Sequence, residues 1–373
     1  MTKLADLLRR RIADEGPLTV AQYMNDALYH PDYGYYTGRD PLGVAGDFIT
    51  APEISQMFGE LIGVWCAMAW KSMGAPDAIN LVELGPGRGS LMYDLLRVSG
   101  VAPGFGKALH VHMVEISPAL RARQREALEN AVPDNAPTWL DDFSQTPQGP
   151  LLLIANEFFD ALPVHQFQRS DNTWRQRLVD IDRQGNFRFI LSAPIRKGPV
   201  TLPGLPPGLP VFPNGLPDAP EGAVIEVCPS GIAVAHAVAE RVTGHGGAAL
   251  VIDYGHAVSS FGETVQALKR HAYHDVLVAP GDADITAHVD FSALAFAAAK
   301  AGARLYGPVR QGDFLESLGI SARAEALSAA ATPRQAEDIR LAHKRLTDED
   351  EMGALFKVMA VTGPDLPAPP GFA

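Results

Sequence analysis

The residues Leu81-Val82-Glu83-Leu84-Gly85-Pro86-Gly87-Arg88-Gly89-Ser90 constrain this chain more than any others. An apolar strand-like run feeds a G-x-G-x-G turn, and a helical pattern from Ser90 to Val98 follows. Glycines at such a turn let the backbone fold back tightly and let a ligand approach where a Cβ would stand. The dinucleotide fingerprint is G-x-G-x-x-G, with a pyrophosphate at the helix N-terminus. Here Ser90 takes the place of its third glycine. Glu83, two residues before the first glycine, would repel a pyrophosphate and attract the amino group and sulfonium charge of S-adenosylmethionine (SAM). Gly85, Gly87, Gly89 and Glu83 are therefore expected to bind SAM; a tight turn with no ligand is the plainer alternative. A P-loop is excluded, because Gly106-Lys107 is preceded by Val101 where a glycine is needed and followed by Ala108 where Ser or Thr is needed.

The rest of the chain keeps the same rhythm. Apolar runs at Ile79–Leu84, Leu109–Glu115, Leu151–Ala155 and Ala248–Asp253 alternate with helical patterns, notably Ser90–Val98 and Pro118–Asn130. Strand and helix repeated in this way predict an α/β fold with a mostly parallel sheet covered on both faces. Phe291–Ala301 reads as a helix, and Ala303–Val309 with Leu355–Thr362 as a closing strand pair. Ahead of the glycine turn, Thr19–Leu28 is expected to be a helix and Tyr29–Phe48 irregular. Thr50, Pro52 and Glu53 form a capping-box pattern before apolar residues at helical spacing, Ile54 to Trp65. Gln166–Gly222 breaks the rhythm with strand-like pieces at Arg175–Asp182 and Phe187–Leu191. A proline-rich tract, Pro194–Pro220, follows and suits neither a helix nor a central strand. The expected organisation is a helical and loop segment, 1–75, covering the cofactor site; a SAM-binding core, 76–363, carrying an insertion at 166–222; and a tail, 364–373.

The net charge of -12 argues against a partner held through phosphates, so no nucleic acid is expected. No apolar stretch is long enough to span a bilayer, and Met1–Arg11 lacks the apolar core of a signal peptide. Cys66 and Cys228 match no pairing motif and suit a reducing cytoplasm. His271 to Asp275 has metal-like residue types without a third ligand at a recognised spacing, and no metal is expected. Asp282-Ala283-Asp284 reads as a capped loop.

Further carboxylates stand where ligands meet such sheets. Glu115, ending the second run, can accept hydrogen bonds from both ribose hydroxyls of a nucleoside. Asp141 or Asp142, beside Trp139 and Phe143, can hold an adenine, or either can be a helix cap.

Several motifs occur together in order: Gly46 to Glu53, Glu83 to Ser90, Val114 to Pro118, Asn156-Glu157-Phe158-Phe159-Asp160-Ala161-Leu162-Pro163, Asp253 to Gly255 and Asp284 to Phe291. This ordered set resembles the mitochondrial complex I assembly-factor methyltransferases and their bacterial relatives, the MidA-like family, over Pro17 to Gly363. The resemblance implies a class I methyltransferase fold with an antiparallel last strand. It also implies symmetric dimethylation of an arginine in the 49 kDa-type subunit of respiratory complex I, a catalytic-arm protein partner. A guanidinium is a poor nucleophile while charged, and its pKa lies above about 12. Carboxylates must hold and orient it. Glu157 and Asp160, after the Leu151–Ala155 strand, can form that clamp beside Asn156, or can be a solvated loop with a cap at Asp160. Asp47 can help close the site, or can be a turn residue after Gly46. A small-molecule methyltransferase of the same fold, or an assembly chaperone that binds SAM without catalysis, are the competing readings.

Overall fold

A computed structural model describes residues 2–38, 50–129, 131, 136–195, 201–213 and 218–372. They fold as two compact units, the first from Met1–Phe48, Asp160–Val234 and Val258–Ala297 and the second from Ile49–Phe159, Ala235–Ala257 and Ala298–Ala373.

The second unit is the α/β core. Its strands are β1 (Ile79–Leu84), β2 (Leu109–Val114), β3 (Thr138–Leu140), β4 (Leu151–Asn156), β5 (Gly247–His256), β6 (Arg304–Arg310) and β7 (Phe356–Thr362). They lie in the spatial order β6-β7-β5-β4-β1-β2-β3. The neighbours from β5 to β3 pair in parallel, with Val82 facing His112 on one side and Leu153 on the other. β7 runs antiparallel to both β5 and β6, and its pairing with β6 is irregular between Tyr306 and Val309. β1 and β4 are buried at every position. That burial is why they read as mostly apolar runs rather than as alternation, with Asn80, Glu83 and Asn156 the buried exceptions. Helices α1 (Gln56–Ser72), α2 (Ser90–Arg97) and α3 (Pro118–Leu128) belong to this unit. Phe58, Ile62 and Trp65 of α1 share its core with Leu81, Leu95, Leu152 and Leu250.

The capping box expected at Thr50 does not form. Thr50 precedes a four-residue helix, Ala51–Ile54, and makes no side-chain cap. The long apolar helix starts one turn later, where Ser55 accepts from the Met57 amide at 3.2 Å. Glu53 faces Arg88 instead, at 3.6 Å; an ion pair won the side chain that a cap would have needed.

The first unit carries its own antiparallel sheet. Thr173–Ile181 pairs with Leu18–Thr19, with His165–Ser170 and with Phe187–Pro194, and Val224–Val227 pairs with His165–Ser170. The helix Lys3–Glu15 buries Leu4, Leu8 and Ile12 on one stripe. These meet Tyr23, Met24 and Leu28 of the helix Val20–Tyr29, Val179 of the sheet and Val164, just before the strand His165–Ser170, in a single core. Thr19 and Gln22 close a capping box at the second helix. Beyond Pro194, the described part of the proline-rich tract holds neither helix nor strand. Val211 packs with Phe167 and Ile225, and Leu202, Leu205 and Leu209 pack against that cluster. Asp284 is not in a capped loop: it opens the strand Asp284–Thr286, paired with Gln266–Lys269. No helix among the described residues is long and apolar enough to cross a membrane.

Candidate active site

β1 ends inside the second unit, and its last residues are buried. Glu83 is 3% exposed, and burial pushes its carboxyl up to about 8. Its Oε2 has no hydrogen-bond partner among the described residues. A buried acceptor left without a donor is costly, and the α-ammonium group of SAM is a donor of the right charge. The turn that follows holds Gly85, Gly87 and Gly89 at φ of 59°, 53° and 85°, in the left-handed region. At Gly85 a Cβ would stand 3.0 Å from the Phe158 ring, so the turn lies directly against the residues that follow β4.

Glu115 follows β2 and is also buried. Burial pushes its carboxyl up, and hydrogen bonds from the Ser117 amide and Gln124 oppose that. Its Oε1 accepts from the Ser117 N–H at 2.8 Å and its Oε2 from Gln124 Nε2 at 3.3 Å. Asp141 is exposed and paired with Arg121 Nη2 at 2.5 Å. Asp142 caps the short helix Phe143–Gln145 by accepting from the Ser144 amide at 2.8 Å, as its capping alternative has it.

At the end of β4, Asn156 Nδ2 donates to Glu157 Oε1 at 3.2 Å, and the same oxygen accepts from the Ala51 amide at 3.1 Å. Asn156 Oδ1 has no partner among the described residues. Glu157 adopts φ of 50°, which costs a non-glycine residue about 1–2 kcal/mol. Its amide donates to Ile252 O of β5 at 2.9 Å, holding that conformation. Two residues on, the Phe159 amide donates to Asp253 Oδ2 at 2.9 Å. Strain of this kind, secured from several sides, collects at functional positions.

Asp160 is the first residue of the other unit after this strand. It is buried, not solvated, and its carbonyl accepts from the Ala287 amide at 2.9 Å. Nearby in that unit the Tyr36 hydroxyl donates to Asp284 at 2.9 Å. Burial pushes the Tyr36 phenol well up, and the charges of Asp284 and Asp160 add to the effect. Asp47 lies outside the described residues.

Two residues to which the sequence assigned no role complete the arrangement. Asp253 ties the end of β4 to β5, and Gln124 of α3 touches both the glycine turn and Glu115. Gln124 carried a signal: with Leu120 and Leu128 it forms the buried stripe of α3, where a polar residue needs partners.

The chain is similar to known proteins over most of its length. Residues 61–309 match the family described as "Putative S-adenosyl-L-methionine-dependent methyltransferase". The chain is 39% identical to the mitochondrial protein arginine methyltransferase NDUFAF7 of Danio rerio, over 95% of this chain and 85% of that one. It is 38% identical to the human protein of that name, over 97% and 83%. A crystal structure of a protein from Burkholderia thailandensis, with S-adenosyl-homocysteine bound, superposes with a TM-score of 0.82 at 32% identity. That match covers 99% of this chain and 94% of the other.

Proposed function

The chain belongs to this family of SAM-dependent methyltransferases, and from that premise we propose that it methylates an arginine side chain of a protein, the 49 kDa-type catalytic-arm subunit of respiratory complex I, to the symmetric dimethyl form during assembly. The observation that carries the substrate is Glu157, a carboxylate fixed at φ of 50° where β4 ends, against the glycine turn through its neighbour Phe158.

SAM supplies a methyl group on a sulfonium, open to in-line attack by a nitrogen. The chain's part is to hold that nitrogen and relieve it of a proton. Glu157 offers the charged acceptor a guanidinium requires, and Asn156 Oδ1 offers a neutral one. Asp160 as a second carboxylate and Asp47 as a closing residue rest on their sequence positions alone. On the cofactor side, Glu83 takes the amino group, the turn at Gly85, Gly87 and Gly89 lines the approach, and Glu115 takes the ribose hydroxyls. Asp141 and Asp142 stay candidates for the adenine with weaker support, since Arg121 and the Ser144 amide already engage them. The compartment proposed is the bacterial cytoplasm, which suits two free cysteines.

The test combines labelled SAM, the purified protein and the complex I subunit. Label on an arginine of the subunit is the expected result, falling at least tenfold with Glu157→Gln, as loss of a charged hydrogen bond requires. Binding of SAM with no label on any arginine would sink the substrate assignment and favour a small-molecule acceptor or a non-catalytic assembly role.

A further inference from the structure

Gln124 is fully buried, on α3, with three hydrogen bonds. Its Nε2 donates to Gly87 O at 2.7 Å and to Glu115 Oε2 at 3.3 Å. Its Oε1 accepts from the Trp139 indole N–H at 2.7 Å. A carbonyl and a carboxylate only accept, and an indole N–H only donates, so these partners are satisfied in one orientation of the amide and opposed in the other. The side chain cannot turn over without losing all three bonds. The backbone around it is equally committed. Gly89 is fixed as glycine by its φ of 85° and lies beside α3, where a Cβ would stand in ordinary contact, 3.5 Å from the Gln124 Cα. Trp139 is held from its other side by the Arg125 guanidinium, 4.7 Å from the ring centroid.

We infer that Gln124 is the positioning residue of the cofactor site: a single amide that sets the glycine turn, the Glu115 carboxylate and the Trp139 ring in register, and so sets affinity for the adenosine part of the cofactor. The inference rests on Glu115 and the turn as cofactor ligands. Glu115 accepts through Oε1 from Ser117 and through Oε2 from Gln124, and the Ile116 amide adds a further hydrogen bond to the carboxylate, so Gln124 is the side chain that helps fix how it faces the ribose hydroxyls. Without Gln124 the carboxylate keeps its backbone bonds but loses the one side-chain bond that holds Oε2. Gly87, held at φ of 53°, would also lose a bond that anchors the turn from outside it. Gln124 touches no reacting atom, so its removal acts on binding before turnover.

The test is S-adenosyl-homocysteine binding by calorimetry to the full chain at pH 8 and pH 5.5. It compares wild type, Gln124→Met and Gln124→Glu, with Glu115→Ala as the control for the site itself. Gln124→Met keeps the length and makes none of the bonds; about tenfold weaker binding is expected at both pH values. Gln124→Glu keeps the Trp139 acceptor but turns a second oxygen on Gly87 O and Glu115. It is expected to bind tenfold weaker or worse at pH 8 and to recover as the new carboxyl gains a proton. Each value is read as a ratio to wild type at the same pH, because Glu83, Glu115 and Asp141 also face this region, with Arg121 and Arg125 as the cations. In turnover, KM for SAM rises while kcat holds. Both Gln124 variants within twofold of wild type at pH 8, with Glu115→Ala crippled, would overturn the inference and leave the site standing. A Gln124→Glu deficit as large at pH 5.5 as at pH 8 would reduce the residue to packing and also overturn it. If Glu115→Ala binds normally, the ribose assignment beneath it fails instead.

Discussion

Glu83 is the residue at which sequence and structure meet most closely. Its place before the first glycine marked it as a partner for positive charge, and burial that pushes its carboxyl up to about 8 says what that partnership costs. In the ligand-free protein the folded state keeps a proton that the unfolded state releases near the usual carboxylate pKa of about 4.3. The stability this contributes is fully present below that value and is lost as pH rises through about 8. Scanning calorimetry from pH 5 to 8.5 should therefore show the ligand-free wild type losing stability relative to Glu83→Gln. A parallel pH dependence in the two proteins would contradict this. Binding of S-adenosyl-homocysteine near neutral pH, by pairing its ammonium with the carboxylate, is expected to expel about one proton, measured as a difference in heat between buffers of unlike ionisation enthalpy. Glu157 shows the limit of residue-level reading. Its acidity and place after a strand were visible, but its left-handed backbone and its bond to the Ala51 amide depend on groups a hundred residues away.

At the scale of elements, boundaries were legible wherever local chemistry decides them. The run Ile79–Leu84 is β1 to the residue, because buried parallel strands are mostly apolar and glycine ends them. The helix expected over Thr19–Leu28 forms as Val20–Tyr29, with Thr19 outside it as the cap, and Thr19→Ala should cost about 1 kcal/mol in denaturant unfolding of the first unit. The Thr50 cap failed because Ser55 and an ion pair at Glu53 compete for the same stretch. The turn after β1 allows a sharper statement. Gly85→Ala combines a φ of 59° with a Cβ 3.0 Å from Phe158. It should cost about 1–2 kcal/mol of stability and weaken cofactor binding as Phe158 shifts; an unchanged affinity would show that the turn tolerates a side chain.

The whole molecule depends on pairings that no local pattern announces. Glu60 of α1 is buried, with Arg323 bonded to it at 2.7 and 2.9 Å and Arg97 at 2.6 Å. Burial alone would raise its carboxyl; the bonds and charges of Arg323 and Arg97 outweigh that and hold it below the usual range. Its contribution is present at neutral pH and is lost as pH falls through the folded-state value. Glu60→Gln should destabilise by about 2 kcal/mol, less than a fully buried pair, because the arginine side chains remain 37% and 39% exposed. Acid unfolding should shift correspondingly, and an unchanged acid midpoint would contradict it. What the sequence alone determined was the kind of fold and cofactor. Strand period, glycine spacing and one carboxylate are local facts, and the chemistry of a strand-to-helix turn leaves them few outcomes. What only the tertiary structure decided was partnership. Helices near the N-terminus share a core with the strands Thr173–Ile181 and Phe187–Pro194, Gln124 reaches Gly87 across 37 residues, and Glu60 meets Arg323 across 263. Those contacts follow from which surfaces can be buried together, a property of the packed chain that no window of sequence contains.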